Sequence, residues 1–280
     1  MPLIDRVLRT LQRRLRVPRG TPVVAAVSGG ADSVALAWLL ADLSARGALA
    51  LRGLAYFSHG LRGPDDTVDE AFVTALAARI GVPVRVGRGD VAKLAADRRE
   101  SIEAAGRRAR YEFLSAAAAD LGAECIATGH SVEDQAETVL LRLLRGASLR
   151  GLSGIRGRRG AIIRPLIECR RAELRAYLAA RGERHREDPS NADVRFARNR
   201  VRHELLPVID RLAKGGIEAL ARTALLAADD EALLTRAAAS TAQRIVIAEA
   251  ADRNTLKNMN CADYRDGRCF YDCNTLEFVR

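Results

Sequence analysis

The hydrophobic pattern alternates between short apolar runs and longer stretches in which apolar residues recur at helical spacing. The short runs, rich in Val, Ile, Leu and Ala, have the length of buried strands. They predict strands at 22–27, 51–57, 82–87 and 123–129, with a short one at Ile162-Ile163. The helical stretches predict helices at 3–16, 32–46, from near Thr67, at 101–121, 132–145, 170–180 and 195–205, the last ending before Pro207. This alternation predicts an α/β fold with a doubly wound, mostly parallel sheet.

The chain is longer than one typical domain, so we expect a large domain with a small appendage. Residues 1–208 should form the α/β domain. Residues 209–245 should be a helical linker or the start of a C-terminal helical appendage, because 217–240 is rich in Ala and Leu. The remaining stretch, 246–280, differs in composition from the Ala- and Arg-rich sequence before it, because it contains asparagine, aromatic residues and three cysteines. No role is predicted for this stretch.

Cysteine spacing and hydropathy exclude several classes of protein. The five cysteines include no Cys-x-x-Cys pair, which disfavours a disulfide framework and an ordinary zinc or iron–sulfur site. No apolar run reaches the roughly 18 to 20 residues of a membrane span. The first twenty residues alternate charged and apolar side chains, unlike a signal peptide. We therefore expect a soluble, cytoplasmic protein.

Positive charge is concentrated in one part of the sequence. Of the formal net charge of +10, residues 142–202 contribute seventeen arginines against six acidic residues. Clustered guanidinium groups are typical of contact with a phosphate backbone. A general preference for arginine over lysine explains the residue type but does not explain the clustering. Nucleic acid is therefore the expected partner.

The octapeptide Ala-Val-Ser-Gly-Gly-Ala-Asp-Ser at 26–33 lies between a predicted strand and a predicted helix. Glycine at such a turn lets an anion approach backbone N–H groups at the positive end of the helix dipole. The spacing fits neither a Walker P-loop nor a dinucleotide fingerprint. The alternative is a simple helix start capped by Asp32 or Ser33. His59 and His130 also follow strands, so all three features should share the ligand-binding edge of the sheet.

Several motifs resemble the tRNA(Ile)-lysidine synthetase family. The resemblance runs over residues 20–207, and its motifs are AVSGGADS, HGLRG (59–63), EAAGRRARYEFL (103–114), ATGHSVEDQAETVLLRLLRG (127–146), RPL (164–166) and EDPSNADVRFARNRVRHELLP (187–207). Ser-Gly-Gly-x-Asp-Ser alone is shared by the wider PP-loop ATP pyrophosphatases. The resemblance implies that ATP adenylates C2 of the wobble cytidine in a CAU anticodon, and that the ε-amine of L-lysine then displaces AMP.

The resemblance also implies which residues bind ATP. These are the turn residues Ser28, Gly29, Gly30, Ala31, Asp32 and Ser33, together with His59 and Arg62. Asp32 would hold Mg²⁺ or the ammonium group of the lysine, because a carboxylate cannot bind a phosphate directly. Asp32 and Asp134 are the expected ligands of Mg²⁺.

The catalytic residues that the resemblance implies are Asp32, Arg107, His130, Asp134 and Glu137. Arg107 would stabilise charge near the adenylated base, although a helix pair with Glu103 is the simpler interpretation. Asp134 and Glu137 lie one turn apart, so they could bind Mg²⁺ or orient and deprotonate the amine. Glu137 could instead pair with Arg142 on its own helix.

The expected tRNA-binding residues are Arg195, Arg198, Asn199 and Arg202, three of which are arginines at helical spacing. The alternative is a solvated basic face. Few residues follow Pro207, whereas members of the family usually carry substantial C-terminal tRNA-binding regions, so recognition of the acceptor stem is in doubt. The resemblance also allows a homodimer, although no interface pattern is evident in the sequence.

Other functions share some of these features. A PP-loop tRNA thiolase would use the same ATP site but usually needs a reactive cysteine, and Cys125 falls within a predicted strand. A PP-loop synthetase of amidotransferase type would not require the arginine-rich region. A catalytically silent RNA-binding protein would not need Asp32, Arg107, His130 and Asp134 together.

Overall fold

The computed structural model describes residues 1–60, 63–187 and 195–249. Their strands form one six-stranded sheet with the order β3-β2-β1-β4-β6-β5, parallel except for the β5–β6 pair. The strands are β1 (Pro22–Ala26), β2 (Ala50–Ser58), β3 (Val84–Arg88), β4 (Cys125–Ala127), β5 (Arg158–Arg159) and β6 (Ile162–Ile163). The predicted α/β class and the mostly parallel sheet are confirmed.

Helices connect the strands and cover both faces of the sheet. In the described residues they are α1 (Leu3–Arg9), α2 (Ala31–Ala45), α3 (Pro64–Ile80), α4 (Val91–Arg98), α5 (Ile102–Asp120), α6 (Val132–Leu143), α7 (Leu149–Leu152), α8 (Arg171–Ala180), α9 (Ala197–Arg200), α10 (Leu206–Leu212) and α11 (Gly216–Glu249). Two π-helical turns, Thr10–Arg14 and Val201–Leu205, continue α1 and α9. No helix in the described part of the chain is long and apolar enough to span a bilayer.

The central strand β1 supplies side chains to both faces of the sheet. Val23 and Ala25 pack into the main core with α2, whereas Val24 packs against Leu114 of α5 on the other face. This alternation follows from the two-residue period of a strand. Helix α2 is buried nearly all round, which explains why its sequence is apolar on every side. The helix that begins at the Gly-Gly turn is therefore rigidly held.

The structure differs from the predicted elements in three places. Helix α4 was not predicted, because its Ala-, Lys- and Arg-rich sequence has only two buried residues, Val91 and Ala95. The stretch before Ile162 was predicted to be a loop, but it contains α7 and the short edge strand β5. The helical region also does not end at Pro207.

Pro207 lies in the first turn of α10, directly after the π-helical turn. Proline lacks a backbone N–H, but the first residues of a helix have no partner for that group in any case. In the π turn the N–H of Leu206 donates to the carbonyl of Val201, which changes the hydrogen-bond register before Pro207. The chain therefore stays helical through the proline as far as Leu212.

Candidate active site

The Gly-Gly loop, residues 28–33, links the end of β1 to α2 at the carboxyl edge of the sheet. Gly29 has φ +88°, a conformation that a side chain would strain. The Ser33 hydroxyl donates to the carbonyl of Gly30 (2.8 Å) and accepts from the N–H of Ser28 (3.1 Å), so it closes the loop on itself.

The N-cap of α2 is Gly30, and no side chain caps the helix. The alternative in which Asp32 or Ser33 caps it is therefore wrong. Ala31 and Asp32 form the first turn of the helix. An uncapped helix N-terminus behind a glycine turn is a site that suits an anion, because backbone N–H groups and the helix dipole both favour negative charge.

Three carboxylates meet beside this loop. Asp32 comes from the first turn of α2, and Asp134 and Glu137 come from α6. Arg171, at the start of α8, pairs with all three: its Nε lies 3.3 Å from Asp32, and its terminal nitrogens lie 2.7 Å from Asp134 and 2.8 Å from Glu137. We call Asp32, Asp134 and Glu137 the carboxylate cluster. It combines residues that are a hundred positions apart in the sequence.

Asp134 is held by the start of its own helix. Its Oδ2 accepts from the backbone N–H of Ser131 (2.8 Å) and from the Ser131 hydroxyl (3.0 Å) in a capping box. Only Oδ1 faces the cluster, where it accepts from Arg171 and, at 3.0 Å, from Arg198. Burial alone would raise the pKa of Asp134, but these guanidinium groups lower it to about 2, so the group is ionised.

Glu137 is fully buried and is neutralised by arginines from outside its helix. Besides Arg171, its carboxylate accepts from Arg198 Nε (2.7 Å) and Arg202 Nε (2.8 Å). Burial opposes ionisation, but Arg202 and Arg171 outweigh it and lower the pKa of Glu137. Arg142 instead donates to the carbonyl oxygens of Gly151 and Gly154. The suggested pair between Glu137 and Arg142 is therefore wrong.

Asp32 differs from its two neighbours in its ionisation. Burial raises the pKa of Asp32 to about 6, and the negative charge of Asp134 adds to the shift, while Arg171 opposes it. Its side chain keeps 23% of its accessible surface, more than Asp134 or Glu137. Asp32 is therefore the member of the carboxylate cluster that an incoming cation reaches first.

The donor set of the cluster fits Mg²⁺ only with ligands supplied by a substrate. Within the described residues, no three His, Cys, Asp or Glu side chains are grouped to hold a metal ion. Asp32 and Asp134 offer one carboxylate oxygen each toward Arg171. Mg²⁺ commonly takes one or two protein carboxylates together with phosphate oxygens and water, so the pair fits an ion that arrives with a nucleotide.

His130 lies just after β4, with its Nδ1 3.0 Å from the Thr128 hydroxyl. Burial lowers its pKa to about 4, and the nearby Arg164 and Arg110 lower it further, against the opposite effect of Asp134. The ring is therefore neutral near pH 7. Both Asp134 of the carboxylate cluster and Arg110 of α5 therefore lie near enough to His130 to shift its pKa.

Arg107 and Arg110 lie on α5 with their guanidinium carbons 5.1 and 5.3 Å from the ring centroid of Tyr111. The simple helix pair of Glu103 with Arg107 does not form among the described residues. His59 packs edge-on against Phe57 and lines a cleft of about 320 Å³ together with Arg107 and Arg110. Arg62, the other expected phosphate ligand after β2, lies outside the described residues.

The predicted tRNA-binding residues fall in different environments. Arg195 is exposed, and Asn199 is buried in α9. Arg198 and Arg202 lie in ion pairs with Asp134 and Glu137, so the predicted solvated basic face is only partly present in this conformation. The turn at 188–191 that precedes them lies outside the described residues. Their contact with tRNA stays a prediction.

Sequence reasoning missed two arginines of the site, Arg171 and Arg164. Both fall within the arginine-rich region, where any one arginine is hard to distinguish. The sequence does indicate that such an arginine is needed. Asp134 and Glu137 lie one turn apart next to a predicted buried strand, and buried carboxylates require a cationic partner. Arg171 is the first residue of a helix, where the helix dipole disfavours a cation, so an arginine at this position indicates a carboxylate partner.

A parallel sheet with a glycine loop after its first strand, facing acidic and basic side chains at the same edge, defines a nucleotide-binding α/β protein of the PP-loop class. Residues 4–209 match the PP-loop domain family, and the chain belongs to that family. The fold is similar to that of the U34-tRNA thiolase NcsA from Methanococcus maripaludis. That comparison has a TM-score of 0.62 and 16% identity, covering 79% of this chain and 76% of the thiolase.

Sequence relatives are more informative. The chain is 48% identical over 234 residues to the tRNA(Ile)-lysidine synthase of Geobacter sulfurreducens, covering 81% of this chain and 48% of that protein. It is 45% identical over 227 residues to the same enzyme of Thermus thermophilus, covering 81% and 43%. These values confirm the resemblance inferred from the motifs. The chain spans about half the length of the curated relatives it matches.

Proposed function

We propose that the protein ligates L-lysine to C2 of the wobble cytidine in an isoleucine tRNA with a CAU anticodon, with cleavage of ATP to AMP and pyrophosphate. One observation carries the proposal: an open phosphate loop and a buried carboxylate cluster share one sheet edge. The two features match the two half-reactions, which need a phosphate site and a cation site. The named relatives support the same assignment.

In the adenylation step, residues 28–33 hold the departing β and γ phosphates of ATP at the N-terminus of α2. The C2 oxygen of the cytidine attacks the α phosphorus, and pyrophosphate leaves. His59 and Arg62 assist with the phosphates. Asp32 and Asp134 are the residues that would hold Mg²⁺, and a bound Mg²⁺ would neutralise phosphate charge.

In the second step, the carboxylate cluster binds and orients the lysine amine. The amine attacks C2 only in its neutral form, so a carboxylate must accept a proton before or during attack. Asp134 is fixed by its capping box and Glu137 is fully buried, which makes them orienting groups. Arg107 stabilises the negative charge that develops as AMP leaves, and neutral His130 donates or accepts a hydrogen bond beside it.

The tRNA is held by arginines of the α9 region, with Arg195, Arg198, Asn199 and Arg202 as the contacts. Because Arg198 and Arg202 now neutralise Asp134 and Glu137, they must exchange carboxylates for phosphates when the RNA binds. A homodimer, recognition of the acceptor stem and a cytoplasmic location stay predictions.

The test is lysine transfer in vitro. Purified protein is incubated with ATP, Mg²⁺, radiolabelled lysine and an isoleucine tRNA transcript with a CAU anticodon, and initiator methionine tRNA serves as the RNA control. We expect label only in the isoleucine transcript, lost in Asp32→Ala and retained in Asp120→Ala, a change at an exposed residue of α5. AMP formation without lysine transfer would mean a different acceptor, and no AMP at all would favour a silent RNA-binding protein.

A thiolase function is less well supported. Burial raises the pKa of Cys125 and raises that of Cys169 to about 12, so neither thiol is a ready nucleophile. Likeness to the thiolase NcsA extends to the fold alone. A sulfur-transfer assay with the same transcript should therefore give no product.

A further inference from the structure

A second group of charged residues near His130 is separate from both the phosphate loop and the carboxylate cluster. It consists of Arg107 and Arg110 on α5, Arg164 directly after β6, and Tyr111 between them. We call it the arginine cluster. It lies at the same carboxyl edge of the sheet as the Gly-Gly loop, because β6 is parallel to β4 and β1.

The arginine cluster is not neutralised by the protein. In the described residues no carboxylate pairs with Arg107, Arg110 or Arg164. Arg164 is 4% exposed, and its terminal nitrogen donates to a backbone carbonyl, that of Arg156 at 2.6 Å. By contrast, Arg171, Arg198 and Arg202 all meet carboxylates. Uncompensated buried positive charge is costly unless an anion binds.

Unsatisfied hydrogen-bonding atoms occur at the same place. Five buried side-chain nitrogen or oxygen atoms in the described residues lack a hydrogen-bond partner of good geometry, and three of them are Arg110 Nε, Tyr111 Oη and Arg164 Nε. Such groups are rare in native proteins and often mark a missing ion or ligand. The guanidinium groups of Arg107 and Arg110 stack on the Tyr111 ring, but this stacking does not provide hydrogen-bond acceptors for the arginine N–H groups.

The electrostatic field at Tyr111 agrees with this interpretation. Burial alone would raise the pKa of the phenol, but Arg110, Arg107 and Arg164 together lower it below its ordinary value. The three guanidinium groups therefore lie close enough to act on the same phenol oxygen, and an oxyanion next to Tyr111 would be attracted by all three.

The cluster is reachable from solvent. Arg107 and Arg110 line the cleft of about 320 Å³ between α4 and α5, whose other walls are His59, Val91, Ile102, Glu103 and Gly106. Arg107 is exposed, so a macromolecule can reach the cleft. Apolar walls beside guanidinium groups suit an unstacked nucleotide, with its base in the cleft and its phosphate at the arginines.

We propose that the arginine cluster is a second oxyanion site, which binds a phosphodiester of the RNA anticodon loop next to the nucleotide that reacts. The identity of the ligand as RNA rests on the proposed function, and the site itself rests on the unpaired guanidinium groups. A nucleotide phosphate has the same chemistry, but the Gly-Gly loop already offers ATP an anion site on β1 and α2. The arginine cluster is built from α5 and β6 instead.

The test measures binding without turnover. The full chain is titrated with a fluorescent stem-loop RNA carrying a CAU anticodon and, separately, with ATP and Mg²⁺. Arg110→Met and Arg107→Met should each weaken RNA binding about tenfold and reduce the steepness of its salt dependence by about 0.7 in the log–log slope, since one phosphate contact is lost. In Arg110→Met, the affinity for ATP should stay within about twofold of that of the unmodified chain, because Arg110 has no role in the proposed adenylation step.

Arg108→Met is the matched control, because Arg108 lies on the same helix but pairs with Glu100 and Glu112. It should leave both affinities unchanged. Arg110→Lys keeps the charge and should recover most of the RNA affinity. Arg164→Met changes a buried residue, so it is used only if its thermal unfolding matches that of the unmodified chain.

Two results would overturn the site. If folded Arg110→Met and Arg107→Met bind RNA as tightly as the unmodified chain, the arginine cluster is not an RNA site. If Arg110→Met loses affinity for ATP while its RNA affinity is unchanged, the cluster binds a nucleotide phosphate instead. The proposed function can fail separately. If these variants lose RNA affinity but the unmodified chain transfers no lysine, the arginine cluster is an RNA site and the proposed ligation reaction is wrong.

Discussion

Asp32 is the side chain whose ionisation should set the pH dependence of the reaction. Burial raises its pKa to about 6, so above that pH it is an anion that attracts a cation, and below that pH it carries a proton. We expect single-turnover lysine transfer to fall with an acid midpoint near pH 6. His130→Asn should lower the rate without moving the midpoint, because the pKa of His130 is about 4. A rate that stays level down to pH 5 would contradict this assignment.

Arg171 should be the most important single residue for the stability of the site. Arg171→Ala removes the cation that two buried carboxylates share with the partly exposed Asp32, and loss of one partner costs about 3–5 kcal/mol in comparable buried pairs. Urea unfolding at pH 7.5 measures the loss. The loss should shrink at pH 5, where carboxylates that have lost Arg171 take up protons.

Arg175→Ala is the control for that experiment. Arg175 lies one turn further along α8, is 61% exposed, and lies 3.7 Å from Glu187. Its replacement should change the free energy of unfolding by no more than about 0.5 kcal/mol. Equal losses in the two variants would show that Arg171 acts through helix α8 and not through the carboxylates.

Individual residues also show how far the sequence predicts the site. Residues 28–33, His130, Asp134 and Glu137 can be proposed from the sequence because each belongs to a compact motif next to a strand end; their roles stay predictions. Arg171 could not be singled out, since its role depends on packing α8 across α2 and α6. Local spacing also gave the wrong partner for Glu137, whose arginines come from α8 and α9 and not from Arg142, five residues away on its own helix.

At the level of elements, strands and long helices were predicted well because their hydrophobic period is strong. Helix α4 has little apolar content, and α7 has a single turn, so neither produces a period that can be recognised. Pro207 was misjudged because proline usually ends a helix. The preceding π-helical turn and the position of Pro207 in the first turn of α10 are consequences of backbone geometry that the residue type does not reveal.

Helix α9 and the following π turn place Arg198 against the two carboxylates that we propose orient the lysine amine. Arg198 donates to Oδ1 of Asp134 and to Oε2 of Glu137. Arg198→Gln should therefore raise the affinity of the RNA-free chain for L-lysine about five- to tenfold, equivalent to about 1–1.4 kcal/mol. Isothermal titration calorimetry measures this change.

The control for Arg198 lies two residues further along the same segment. Arg200 is 64% exposed and is 3.9 Å from Glu204, away from the carboxylate cluster. Arg200→Gln should leave lysine affinity unchanged. Weaker lysine binding in Arg198→Gln would mean that Arg198 helps to hold the amino acid and does not compete with it.

At the scale of the whole molecule, one sheet edge carries charges of both signs in separate places. Acidic side chains of α2 and α6 are neutralised internally by arginines of α8 and α9, while the arginine cluster of α5 and β6 stays unpaired in the described structure. An RNA that draws Arg198 and Arg202 away would leave the carboxylate cluster negative. RNA and lysine binding are then coupled, and each must strengthen the other by the same factor.

The concentration of positive charge in 142–202 gives the molecule-wide prediction. If about four phosphates of a single-stranded loop are contacted, the log–log slope of RNA affinity against salt is about −3, and affinity falls roughly fiftyfold between 50 and 200 mM KCl. Fluorescence anisotropy at several salt concentrations measures the slope. Replacing Arg198 and Arg202 together should make it less steep by about 1.4, because the two guanidinium groups then no longer transfer from carboxylates to phosphates. An unchanged slope would leave these arginines as permanent partners of Asp134 and Glu137 and would place the RNA contacts elsewhere on the basic region.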